Sequence, residues 1–391
     1  MADVTVAEWT PAPHSSPTSR SRVNVAAHFV YAGRVGGAEH MLYNLVRGMW
    51  RSADVSLLCS DVGNLDPHFA AEARRSASLR EVGGGGPRFI AEQRACLGAG
   101  IAGDAILFPN YFVPPVLPSR LGRVVTVLHD MQYRHFPEYF SAKKRAWLRA
   151  AHALAFRRAD RVVAISAFVR DDALRLLGQQ FAGKVTVIPN PVDWQRFGDP
   201  VAQRAPLAGR YILAVAAQYR HKNLETLVRA FAQVARRQGD LHLVLCGQDY
   251  NGLQGVAGSQ AGLLPLAREL GVGDRVRVTG YVDDASLGAW YRGATLFAFP
   301  SIFEGFGMPP VEALGFGLPV LTTARTALPE VTRGLAHHVH DPFSVAEWAA
   351  RLGEMAADPD RHRPEPGAVA ALRRHYHPDR IGHEYLELCL R

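Results

Sequence analysis

Short apolar runs and longer helical stretches alternate along almost the whole chain, and this alternation restricts the fold more than any other property of the sequence. Strands are expected at Asn24–Val30, Val55–Leu58, Ala105–Phe108, Val124–Leu128, Arg161–Ile165 and Val185–Ile188, with helices such as Ala142–Ala159 and Ala167–Leu177 between them. Unbroken apolar strands separated by helices imply a parallel sheet covered on both faces. The first run leads into a loop, Gly33-Arg34-Val35-Gly36-Gly37, after which Met41, Leu42, Leu45 and Met49 recur at helical spacing.

The pattern pauses at Pro189-Asn190-Pro191-Val192-Asp193 and restarts at Tyr211–Ala216. Strands then follow at His242–Cys246, Arg275–Thr279, Leu296–Phe299 and Pro319–Leu321, and helices at Leu224–Arg237, Ala285–Gly293 and Pro309–Phe316. A chain of 391 residues exceeds what one core supports, so two domains are expected. The boundaries read as a flexible tail over residues 1–22, a first Rossmann-like domain over 23–200, a second over 201–375, and a last helix over 376–391. The class is α/β, with two doubly wound parallel sheets.

Composition, 48% apolar and 20% charged, is that of a soluble globular protein. The four cysteines are scattered, without the spacing of a metal site or disulfide framework, which suits a reducing cytoplasm. No run of eighteen apolar residues suggests a membrane span, and the Pro- and Ser-rich start has none of the charged stub and apolar core of a signal peptide. A net charge of +8 favours an acidic partner.

The densest chemistry lies between Pro300 and Pro319. Glu304 and Glu312 flank the turn Gly305-Phe306-Gly307, whose glycines let backbone N–H groups approach an anion, while Pro309 or Pro310 suits the first turn of a helix. Glu312 is expected in that first turn, placed to accept hydrogen bonds from a ribose diol, with Glu304 on the strand side gripping hydroxyls of a transferred sugar. Arg220 and Lys222 follow the strand Tyr211–Ala216, at the carboxyl end where open sheets bind ligands, and can neutralise a diphosphate. The only Asp-x-Asp, Asp358-Pro359-Asp360, lies far from these motifs and reads as solvated loop. No metal or other cofactor is therefore expected, the cations and backbone N–H groups stabilising the departing diphosphate.

The segment from Pro300 to Pro319 resembles the signature of family 4 retaining glycosyltransferases, in which two glutamates separated by seven residues hold the donor sugar and the ribose. The resemblance runs from about Val23 onward and implies the GT-B fold, two Rossmann-like domains facing a cleft, with the last helix returning to the first domain. It implies that Lys222 binds the diphosphate, that His129 contacts the donor sugar, that Gly36 and Gly37 approach diphosphate or acceptor, and that the base rests against Tyr281-Val282. Ser166 and Asn190 match positions near the cleft, though a turn or cap accounts for either. Likeness to bacterial polysaccharide mannosyltransferases around His129-Asp130-Met131-Gln132 and Pro137-Glu138-Tyr139-Phe140 points to mannose from GDP-mannose and to a glycan or lipid-linked acceptor. Retention then proceeds by front-face attack, a diphosphate oxygen taking the acceptor proton.

Between Arg134 and Arg161, Lys143, Lys144, Arg145, Arg149, Arg157 and Arg158 are interspersed with Phe140, Trp147, Leu148, Leu154 and Phe156. Such a helix either packs on the first sheet with its cations in water or lies on an anionic leaflet, which would place the protein at the inner face of the membrane. Its aromatics show no base-stacking repeat, so nucleic acid is not an expected partner. Alternative activities are a nucleotide-sugar epimerase, a phosphorylase of the same architecture, and a binding module without turnover. A dinucleotide oxidoreductase is disfavoured, because neither domain opens with Gly-x-Gly-x-x-Gly.

Overall fold

A computed structural model describes residues 20–31, 36–198, 207–247 and 262–391. Most of the expected tail and Gly33, Arg34 and Val35 of the glycine loop lie outside this set.

The alternation read from sequence folds into two sheets. The seven-stranded sheet contains β1 (Arg22–Ala26), β2 (Asp54–Cys59), β3 (Ser78–Glu81), β4 (Ala105–Phe108), β5 (Arg123–Leu128), β6 (Arg161–Ala164) and β7 (Val185–Val187), in the order β3-β2-β1-β4-β5-β6-β7. The six-stranded sheet contains β8 (Arg210–Val215), β9 (Leu241–Cys246), β10 (Val276–Gly280), β11 (Leu296–Phe299), β12 (Val320–Thr323) and β13 (His337–Val339), in the order β10-β9-β8-β11-β12-β13. All its pairings are parallel. Each sheet thus reverses direction beside its first strand, between β1 and β4 and between β8 and β11. In doubly wound sheets that reversal opens a crevice at the carboxyl ends of the strands.

Backbone packing groups Met1–Thr126, Arg158–Arg161 and His377–Arg391 into one compact unit, and Val127–Arg157 and Val162–Tyr376 into a second. In the first, the helix Gly37–Met49 buries Met41, Leu42, Leu45 and Val46, and the helix Pro378–Leu390 packs across it. The crossing is close because Gly48 meets Gly382: a Cβ on either would overlap the other helix's backbone. Arg51 and Asp379 pair at 2.7 Å, and Arg123 donates to the Leu388 carbonyl. The last helix, expected over 376–391, is Pro378–Leu390, and a separate helix, Pro366–His375, precedes it.

In the second unit, the helix Leu224–Ala235 presents Leu224, Leu227, Val228 and Phe231 to Ile212, Leu243 and Leu245 of the sheet and to Trp348 and Leu352 of the helix Val345–Ala357. Burying each such side chain stabilises by about 1.5–3 kcal/mol, so this core holds the strand ends rigidly beneath the loops that follow them.

Candidate functional site

The carboxyl ends of β8 and β11, the strands flanking the reversal of the second sheet, carry the two motifs singled out in the sequence. After β8, Arg220–Lys222 forms a tight helical turn that ends at Asn223. After β11 the chain runs through Pro300–Gly307 before the helix Met308–Gly315 begins. The segments are laced together: Ile302 N–H donates to the His221 carbonyl at 2.8 Å, and the Ser301 hydroxyl to the same oxygen at 3.1 Å. Asn223 donates to the carbonyls of Pro300 and Pro342. The outcome is an ion pair of 2.6 Å between Lys222 Nζ and Glu304 Oε1.

Two residues here hold the left-handed backbone region that side chains rarely adopt, Asn223 at φ 53° and Thr326 at φ 52°. Both grip the Pro300–Glu304 segment, Asn223 at Pro300 O and Thr326 through its hydroxyl, which accepts from Glu304 N–H at 2.9 Å. Strained backbone thus fixes the carboxylate-bearing turn.

From another side the turn is held by the loop after β5 and the helix Ala167–Leu177. A Cβ at Gly305 would overlap the His129 carbonyl, so only glycine permits this approach. Ser166 caps the helix, accepting from Val169 N–H, and its hydroxyl also donates to Gly305 O at 2.7 Å, so the cap and the site share one residue. Beside His129, Asp130 accepts from Gln132 N–H. Burial, reinforced by the negative charge of Glu304, raises its carboxyl above the ordinary range. His221, next to Lys222, is pushed far below its ordinary value, first by burial and then by the neighbouring ammonium, and stays neutral.

Glu312 departs from expectation in position. The left-handed Gly307, at φ 91°, starts the helix at Met308, so Glu312 lies in the second turn rather than the first. It is 3% exposed, and its oxygens pair with Arg196 Nη2 at 2.5 Å and with the Tyr291 hydroxyl at 2.9 Å. Arg196 also reaches Asp284 at 3.1 Å. Arg196 and Tyr291 were not singled out in the sequence. The segment carrying Arg196 read as part of a domain boundary, yet within this unit Val192 N–H donates to Tyr376 O, the Trp194 indole donates to Glu312 O, and Phe197 is fully buried.

The remaining residues fall as follows. Phe306 is buried against Tyr376, Tyr281 is 60% exposed just beyond β10, and Val282 follows it half-buried. Asn190 is buried. Gly36 and Gly37 lie exposed at the start of the helix Gly37–Met49 in the first unit, where Gly36 N–H donates to Glu39. Asp358 and Asp360 belong to a surface turn, Asp360 pairing with Arg363 at 2.9 Å. Among the described residues no three His, Cys, Asp or Glu side chains gather as a metal site. In the helix Ala142–Arg158, Lys143, Lys144, Arg149, Arg157 and Arg158 are exposed, whereas Arg145 donates to the carbonyls of Pro137 and Phe140.

A lysine and a glutamate are held together at the reversal of a doubly wound sheet, with a second glutamate on the following helix. Residues 35–196 match the family described as Glycosyltransferase Family 4, and residues 199–368 the family described as Glycosyl transferases group 1. The chain belongs to the family 4 glycosyltransferases. Among its relatives, O-antigen chain mannosyltransferase B of Escherichia coli is 30% identical over 64% of this chain and 64% of its own length. D-inositol 3-phosphate glycosyltransferase of Nocardiopsis dassonvillei is 33% identical over 52% of this chain and 49% of its own. The chain thus spans about half to two thirds of the curated relatives it matches. A crystal structure of HepE from Anabaena, in complex with UDP and glucose, superposes with a TM-score of 0.71 at 20% identity, covering 94% of this chain and 99% of that one. This family 4 chain has the GT-B fold, the architecture expected from the alternation and the glutamate pair.

Proposed function

We propose that this family 4 chain is a retaining hexosyltransferase that moves mannose from GDP-mannose to a hydroxyl of a glycan or lipid-linked saccharide during polysaccharide biosynthesis. The observation that carries the reading is the Lys222–Glu304 pair, a cation suited to a diphosphate and a carboxylate suited to sugar hydroxyls held 2.6 Å apart at the reversal of the second sheet. Without donor the two neutralise each other. Donor binding exchanges their partners: the ammonium, with Arg220, takes the diphosphate, and the carboxylate takes the sugar hydroxyls. The N–H groups around Gly305, Phe306 and Gly307 add dipoles directed at the same anion.

Glu312 receives the ribose hydroxyls on lone pairs that Arg196 and Tyr291 leave unused, and the base rests on Tyr281 and Val282. His129 orients the sugar. As the bond from C1 to the acceptor oxygen forms and the bond from C1 to the diphosphate breaks, a diphosphate oxygen takes the acceptor proton. Side chains do the charge neutralisation in this scheme, without a metal. Mannose is supported by the relative in Escherichia coli named as a mannosyltransferase.

The test is product analysis. GDP-mannose and UDP-glucose are each incubated with the protein and a lipid-linked saccharide, and the acceptor is examined for the mass of one added hexose. Transfer from GDP-mannose is expected; a changed sugar without acceptor identifies an epimerase, cleavage by phosphate a phosphorylase, and binding without turnover a silent module. The chain has no helix among its described residues long and apolar enough to cross a membrane. We place it at the inner face of the membrane through its exposed cations, each worth about 1 kcal/mol near an anionic surface. Lys143, Lys144 and Arg149 changed to Gln should weaken co-sedimentation with anionic vesicles, and unchanged sedimentation would leave this helix a solvated face.

A further inference from the structure

The segment after Asp130 carries aromatic residues that the donor chemistry does not use. Phe136 and Tyr139 stack nearly parallel, with ring centroids 5.2 Å apart and planes inclined by 5°. Both residues are half-buried, so part of the stack reaches the surface.

The stack is anchored to the catalytic turn. Phe303, the residue before Glu304, is 4% exposed and lies at the centre of a cluster in which Phe136 meets it edge-on at 5.7 Å, Phe168 edge-on at 5.7 Å and His135 at 5.0 Å. His135 is itself held by Asp172 at 2.8 Å, and Asp172 also pairs with Arg175. Glu330 accepts from the N–H groups of Ala167 and Phe168, fixing the end of the helix that carries Phe168.

Contacts lead from Tyr139 to Phe136 and on to Phe303, the residue before Glu304, which pairs with Lys222. At one end lies the parallel Phe136–Tyr139 pair, and at the other the charges that seek hydroxyls and phosphate. A pyranose presents the same division, with axial C–H bonds on its faces and hydroxyls at its rim. Sites of this kind join an aromatic wall to a few polar groups that fix orientation.

We propose that the Phe136–Tyr139 stack is the acceptor platform, on which a hexopyranose ring of the acceptor lies with its C–H face against Tyr139 and a rim hydroxyl toward the Glu304–Lys222 pair. The inference rests on the transfer reaction proposed above and adds to it the surface on which the acceptor's receiving sugar ring lies. Phe136 is a positioning residue, since it acts by holding Tyr139 flat.

The test uses the full chain saturated with GDP, with methyl α-D-mannopyranoside at millimolar concentration as the probe, read by saturation-transfer NMR. Ring-face protons of the glycoside should receive saturation in the wild type. Tyr139→Ala should raise the apparent dissociation constant of the glycoside at least tenfold, whereas Tyr139→Trp and Tyr139→Phe should stay within about threefold of wild type. GDP affinity, measured separately by calorimetry, should be unchanged in all three. A wild type that gives no saturation transfer to the glycoside, or a Tyr139→Ala variant that binds it as wild type does, overturns the platform. Loss of GDP binding in Tyr139→Ala overturns it also, by placing the ring in the donor site or the core. Failure of the wild type to bind GDP at all counts against the proposed donor instead; saturation transfer to the glycoside is then read without nucleotide.

Discussion

The glutamates of one motif, Glu304 and Glu312, each pair with a cation at almost the same distance, 2.6 Å for Lys222 and 2.5 Å for Arg196, yet the two pairs live in different surroundings. The Lys222–Glu304 side chains retain 18% and 12% of their exposure; those of Arg196 and Glu312 retain 6% and 3%. Water can replace either partner of the first pair, so that pair is able to open for a substrate. The second is far less exposed, with Tyr291 and Asp284 adding hydrogen bonds, and removing a member strands a charge. Motif spacing does not distinguish the two; burial does.

The sharpest way to break this comparison is to delete one cation from each pair. Arg196→Met should destabilise by about 3–5 kcal/mol, because Glu312 is left charged and unpaired in the interior, while Lys222→Met should cost under about 1 kcal/mol, the scale of a pair that water reaches. Urea denaturation gives both numbers, and equal losses would erase the distinction. Activity should rank the other way. Lys222→Ala should lose about a hundredfold or more in transfer rate with its melting temperature retained, and turnover should survive EDTA; activity lost in EDTA and restored by manganese would assign the diphosphate's charge to a metal.

A finer separation comes from the carboxylates. Glu312→Gln should bind free GDP more weakly by about 1.5–3 kcal/mol, with donor KM raised, whereas Glu304→Gln should keep GDP affinity and lose kcat. Calorimetry decides, and equal weakening in both would end the division of roles. A further contrast to the buried ion pair is a buried neutral group. His152, 2% exposed, donates to the Leu148 carbonyl and stacks on Tyr133, and burial lowers its pKa from 6.5 to about 4. Its contribution to stability is therefore complete above pH 6.5 and is lost as pH falls toward 4, which amounts to about 2 kcal/mol between pH 7.5 and 5. His152→Leu should flatten that part of the stability profile, and an unchanged slope would show that other groups govern it.

The strands that sequence revealed best are those buried on both faces, such as β4 and β11. The edge strands β3 and β13 escaped because Ser-Leu-Arg-Glu and His-His-Val carry too much polarity to read as apolar runs. Within the site, Lys222 and Glu304 were legible because each follows a strong strand, and neighbouring strand ends must meet. Arg196 was not, since it lies 116 residues from Glu312 in a Pro-bearing stretch that looks solvated. Only the packing of Trp194 and Phe197 shows that the stretch is inside. The start of the helix at Met308 was hidden for a different reason: Pro309 and Pro310 are visible as first-turn residues, but the left-handed Gly307 that sets the first of them is a matter of φ, not of composition.

The close crossing of Gly48 and Gly382 joins helices that lie far apart in the chain. On a ribosome the strands and helices preceding Thr126 emerge early, but the helix that covers Gly37–Met49 is synthesised only after nearly everything else. The first unit must therefore wait with the apolar side of that helix uncovered while the second unit completes itself. A helix made earlier thus depends on one made later, an inversion of the order in which the segment made first is finished first.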